Sequence, residues 1–175
     1  MGGKTMRKTV SYALVLALVV AVAAIAADEP KSMGKTDVKW FDPENCEFCK
    51  HLTETPHLME NMKMEYRDVK NGEVSLTTVA PEYRDAYKTA NEAMMALGAD
   101  IESGKRNPME VKMCGCCQEY GRLLMAGANF EHVQCEGGDI LLITSNDEAM
   151  IKQIHAYGER NRTEMAKMKA MTEEK

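Results

Sequence analysis

The sequence predicts an α+β fold: a helix-strand-strand-helix unit in tandem duplication, whose two hairpins form one four-stranded antiparallel sheet with helices packed on one face. Three observations predict it. The pair Cys46-Glu47-Phe48-Cys49 recurs as Cys114-Gly115-Cys116-Cys117, and Asn61-Met62 follows Cys49 at the same distance as Asn129-Phe130 follows Cys117. Each Asn opens a run of strand character, a glycine-containing turn and a return run. Each return run leads into a segment whose apolar residues keep helical spacing.

The first residues set the chemical surroundings of those cysteines. Lys4, Arg7 and Lys8 precede the apolar run from Val10 to Ala24, and Ala24-Ile25-Ala26 supplies a small-x-small cleavage pattern. Residues 1–26 therefore read as a signal peptide, and the mature protein as periplasmic or secreted. The alternative is an uncleaved anchor, because the run approaches bilayer-spanning length; the signal segment would then be the sole contact with the membrane. Residues 27–39 are polar, with Pro30, Ser32 and Gly34, and read as a flexible leader. The remainder divides into a first αββα repeat over 40–105 and a second over 106–175, sharing one core.

In the first repeat, Asp42-Pro43 is a helix-start signal, which places Cys46 and Cys49 in the first turns of a helix. Pro56 breaks that helix and leaves a short second piece ending near Asn61. From Met62 to Asp68, Met62, Met64 and Tyr66 alternate with Lys63, Glu65 and Arg67, the period of a half-buried strand. Asn71-Gly72 makes a hairpin turn, and Glu73 to Val79, rich in Val, Leu and Thr, is the return strand. Ala80-Pro81-Glu82 opens a helix with Ala86, Ala90, Ala93, Leu97 and Ile101 on one stripe, and Ser103-Gly104 ends it.

The second repeat keeps this order. Asn107-Pro108 starts a helix carrying Cys114 and Cys117, Phe130 to Glu136 is a strand, Gly137-Gly138 turns, and Asp139 to Thr144 returns. Ser145-Asn146-Asp147-Glu148 caps a last amphipathic helix with Met150, Ile154, Tyr157, Asn161 and Met168 near one stripe.

Composition narrows the function. The chain carries 27 acidic against 22 basic residues, a net charge of −5, and loss of Lys4, Arg7 and Lys8 makes the mature protein more acidic still. That sign disfavours nucleic acid, whose backbone is bound by Lys and Arg. No glycine-rich phosphate loop, G-x-S-x-G or H-E-x-x-H is present, so an enzyme is the less expected class. Fifteen methionines beside one Trp and three Phe make the chain methionine-rich, and a thioether serves either as adaptable core filler or as a soft ligand.

The cysteines carry the sharper signal. Cys46 with Cys49, and Cys114 with Cys117, are three apart, and each pair presents its thiols on one helix face. Four thiolates brought together make a site for zinc or for Cu(I). His51, two residues after Cys49, is the best-placed imidazole to join them, with a surface histidine as the competing reading. Met64 and His132 occupy matching positions in the two hairpins and, facing each other across the sheet, would add a thioether and an imidazole; core packing competes for Met64.

Cys116 and Cys135 have no counterparts in the first repeat. Cys116 lies about 200° around the helix from Cys114, so the two extras are expected to pair as a disulfide, which an exported chain permits. The function expected is an exported module binding a thiophilic metal ion for buffering or delivery. The same cysteines also fit a disulfide-stapled interaction module without metal, meeting a protein partner or a second copy through its sheet or last helix. They fit, thirdly, a CxxC thiol-disulfide redox protein, although no strand precedes Trp40 as a thioredoxin context requires.

Overall fold

A computed structural model describes residues 38–173; the predicted signal peptide and nearly all of the leader lie outside the described residues. Each half of the chain contributes one hairpin. Strand β1 (Met62–Val69) pairs with β2 (Gly72–Val79), and β3 (Asn129–Cys135) pairs with β4 (Gly138–Thr144). The return strands β2 and β4 then pair with each other, giving one antiparallel sheet in the order β1-β2-β4-β3. The expected α+β architecture with a single four-stranded sheet is what the chain adopts.

The β2–β4 register explains the glycine that begins each return strand. Gly72 lies opposite Thr144 and Gly138 opposite Thr78. A Cβ at Gly72 would overlap the Ile143 carbonyl oxygen, and one at Gly138 would overlap that of Thr77. Only glycine lets the neighbouring strand approach at both corners.

Three α-helices cover one face of this sheet: α1 (Arg84–Glu102), α2 (Gly115–Met125) and α3 (Glu148–Glu173). Asp147 Oδ1 accepts the Met150 N–H at 2.7 Å and so caps α3, as the polar run before it predicts. Met150, Ile154, Tyr157 and Asn161 form its buried stripe. Ile154 and Tyr157 join Trp40, Leu123, Ala128 and Ile143 in the larger core cluster; Leu58, Val79, Tyr87 and Ala90 form the smaller one. In α1 the buried stripe runs through Tyr87, Ala90 and Asn91, one position on from the expected Ala86, because Tyr87 and Asn91 both reach Asp139 on β4.

The helices predicted to carry the cysteines are shorter than expected. Residues 43–45 and 47–48 are turns on either side of Cys46, followed by a 3₁₀ turn at Cys49–Leu52 and another at Met59–Asn61. Pro56 has no N–H to donate and interrupts the segment that Pro43 opens. In the second half a 3₁₀ turn at Pro108–Glu110 precedes extended residues, and α2 begins only at Gly115, with Cys114 as its N-cap. Among the described residues no helix is long and apolar enough to cross a membrane.

Candidate metal centre

Two irregular segments are pinned together to build the site. The carbonyls of Lys39 and Trp40 accept the N–H groups of Gly115 and Cys116, at 3.0 and 2.9 Å, satisfying two of the free amides at the start of α2. Trp40 is anchored from below, its Nε1 donating to Asn161 Oδ1 at 2.8 Å. Asp42 then starts a turn: its carbonyl accepts from Asn45 and Cys46, and the Lys50 N–H returns to the Cys46 carbonyl at 2.9 Å.

Glu47 locks this turn onto the second half. Its backbone N–H donates to the Lys112 carbonyl at 2.8 Å, while its carboxylate accepts from the Lys112 amide and from Arg106, at 3.1 and 2.7 Å. The Arg106 hydrogen bond, with that amide, holds the Glu47 carboxyl below its ordinary range. Its negative charge is thus engaged by Arg106 and Lys112 and turned to a structural use.

The result is the convergence of Cys46, Cys49, Cys114 and Cys117, whose sulfurs all lie within 4.8 Å of one another. Cys49 Sγ stands 3.4 Å from Cys117 Sγ and 3.8 Å from Cys114 Sγ. A tetrahedron with metal-sulfur bonds near 2.3 Å has edges of about 3.8 Å, so the spacing suits four thiolates around one ion. The donor set therefore fits a metal. Cys46 and Cys114 are buried, whereas Cys49 and Cys117 are half-buried and form the more open side.

Electrostatics agree with a cation's place there. The neighbouring thiols, Cys114 first, hold Cys46 far below the ordinary thiol value, and Cys117, helped by Cys49 and opposed by Cys46, brings Cys114 down to about 7. Cys49 and Cys117 are pushed strongly upward, with Cys114 the leading cause for each. Four such groups cannot all ionise side by side unaided, so the metal-free cluster retains protons. A bound cation removes that conflict, and its uptake must expel the retained protons.

The other expected ligands lie elsewhere. His51 pairs through Nδ1 with Glu54, at 2.9 Å, and is outside the converging group. Met64 and His132 do not face each other, because the hairpins join through their second strands and leave β1 and β3 at opposite edges. Met64 receives a long 3.9 Å contact from the Tyr66 hydroxyl, and His132 Nε2 meets Asp139 Oδ2 at 3.1 Å.

Nor do Cys116 and Cys135 pair, since both are free. Cys116 does turn away from Cys114, as the helix geometry requires, but into the core. There its sulfur lies 3.3 Å from the Tyr157 hydroxyl and 3.5 Å from Asn161 Oδ1. Burial pushes this thiol up to about 12, against the lowering effect of Tyr157. Cys135 is exposed at the end of β3.

One buried group had no signal of its own in the sequence. Glu73 is 1% exposed, packed under α3, with Oε2 lacking a hydrogen-bond partner. Glu73 and Asp139 each follow the glycine that begins a return strand, and the structure shows both acids buried on the inner face. Comparison with family models, curated proteins and solved structures finds no match to this chain.

Proposed function

We propose that this chain is an exported module that binds a single thiophilic ion, Zn(II) or Cu(I), through Cys46, Cys49, Cys114 and Cys117, and serves to buffer or deliver it. The observation that carries the reading is the meeting of two C-x2-C pairs from distant parts of the chain at sulfur separations suited to tetrahedral thiolate coordination. The signal-like first residues support export. The half-buried state of Cys49 and Cys117 supports delivery, because an acceptor thiol can approach these two ligands first.

Titration of reduced protein with each ion beside a competing chelator tests this. Wild type should take up one equivalent with release of protons, and uptake should weaken as pH falls, since the ligands must deprotonate. Replacing Cys46 and Cys114 together by Ser should abolish it, while Cys116→Ser should leave stoichiometry intact. Equal, weak uptake by wild type and the double variant would show that the metal function is wrong.

A further inference from the structure

The alternation of β2 is inverted relative to an ordinary half-buried strand. Glu73, Ser75 and Thr77 point inward and are buried, while Val74 and Leu76 lie on the opposite face. The register extends that outer face across the sheet. One row runs Arg67, Val74, Leu142, Glu131, and the next Glu65, Leu76, Ile140, Val133. Leu76 is 39% and Val133 41% exposed, and no helix among the described residues packs on this side. A sheet commits its strands to one register because one face is to be covered, and here Val74, Leu76, Ile140 and Leu142 of the central strands sit on the open one, while Val79, Leu141 and Ile143 face the helices.

We infer that the outer face binds a second copy of this chain, sheet against sheet, about a twofold axis parallel to the strands. Charge selects both the occupant and the axis. The β1 end of the face carries Lys63, Glu65 and Arg67, with Glu65 bonded to both cations at 2.6 and 3.1 Å. The β3 end carries Glu131, whereas Glu136 in the turn beyond it is paired with Arg84 of the helical layer at 3.4 Å. A twofold along the strands lays β1 of each copy over β3 of the other and keeps the rows level. Arg67 of each copy then meets Glu131 of the other, on both flanks of a Val74, Leu76, Ile140, Leu142 and Val133 centre. A twofold across the strands would instead set β1 on β1 and β3 on β3, opposing like charges. Face-to-face sheets pack about 10 Å apart with strands turned by roughly 30°, a separation that long Arg and Glu side chains span. Four strands of seven residues present a flat footprint of roughly 450 Å², below the usual half-interface, so the dimer is reversible rather than permanent.

Sedimentation equilibrium on the protein as it matures from the full-length reading frame, across concentration and salt, tests this. Wild type should show a monomer–dimer equilibrium on the order of micromolar that weakens as salt rises. R67E and E131R should each raise the dissociation constant by roughly tenfold or more, and R67E/E131R together should restore it to within about threefold, because the pairs re-form with reversed sign. Leu76→Lys, at an exposed position, should leave only monomer. A chain that stays monomeric at high concentration would overturn the inference, as when another protein covers the face. So would a dimer indifferent to Leu76→Lys, or a double variant no better than its parents.

Discussion

The carboxylate of Glu73 lies directly against the backbone of Gly158, occupying the space where a side chain at 158 would begin. Strand β2 and helix α3 thus meet through an acid and a missing Cβ. Glycine inside a helix ordinarily costs about 1 kcal/mol relative to alanine. Gly158→Ala should nevertheless destabilise the protein by about 1–3 kcal/mol, since the new methyl group has nowhere to go. In a Glu73→Ala background the same substitution should become neutral or stabilising. Denaturant midpoints of the four proteins check this change of sign; the same loss in both backgrounds would contradict it.

Burial raises the Glu73 acid to about 8, the dominant effect over the opposing pull of Arg162 and the added push of Asp68. The folded protein therefore holds a proton that the unfolded chain releases near pH 4.5. Stability contributed by this group falls as pH rises from about 4.5 to 8 and is flat beyond. Glu73→Gln should remove that slope and gain stability over wild type on the order of a few kcal/mol at pH 9, with little gain at pH 4. The difference between wild-type and variant unfolding free energies against pH provides the measurement.

The thiol cluster makes a specific forecast about oxidation. Cys49 and Cys117 are the half-buried pair, with sulfurs 3.4 Å apart. Metal-free protein treated with a small-molecule disulfide should form the Cys49–Cys117 bond first, because the reagent reaches these two sulfurs before the buried Cys46 and Cys114, although the latter lose their protons more readily: two thiols give up two protons and two electrons, and the reagent leaves as two thiols. Peptide mapping without reduction should recover residues 49 and 117 in one fragment. Bonds confined within each C-x2-C pair would refute this order, and prior loading with zinc should slow the reaction.

Asn161 serves two partners with one oxygen, Trp40 Nε1 and the Cys116 thiol. Asn161→Ala should leave the buried indole N–H unpaired and cost about 1–3 kcal/mol. Because Trp40 is the sole tryptophan, its fluorescence reports the change directly. Loosening should shift the emission to the red, as residues 38–52 part from α2.

Much of this architecture was legible locally. Met62, Met64 and Tyr66 gave the period of β1, Asn71-Gly72 and Gly137-Gly138 gave both turns, and Met150, Ile154, Tyr157 and Asn161 gave the buried stripe of α3. The repeated spacing of Cys46 and Cys49 with Cys114 and Cys117 pointed to their meeting. What local pattern could not supply was the order of strands. Whether two hairpins join by first or second strands depends on long-range pairing, and that choice separates Met64 from His132. Cys116 was correctly turned from Cys114, yet its destination beside Tyr157 depends on how α3 crosses α2. Glu73 carried no sign of burial because its type is usually solvated, and only the register of β2 against β4 shows that its side faces inward.

The Cys49–Cys114 approach has a meaning in polymer terms as well. The two residues are 65 apart in sequence, and everything in between, both strands of the first hairpin and all of α1, belongs to the loop they subtend. An ion gripping both ends shortens the free chain even after the fold has melted. By the treatment used for covalent bridges, closing a loop of this size removes disorder from the unfolded state equivalent to about 4 kcal/mol. The metal would then act as a clasp on the beginning of the described chain, where residues 38–61 contain no α-helix and depend on what they are fastened to. Without it, unravelling should start in the turns around Cys46 and Cys49, between the Trp40 anchor and the sheet.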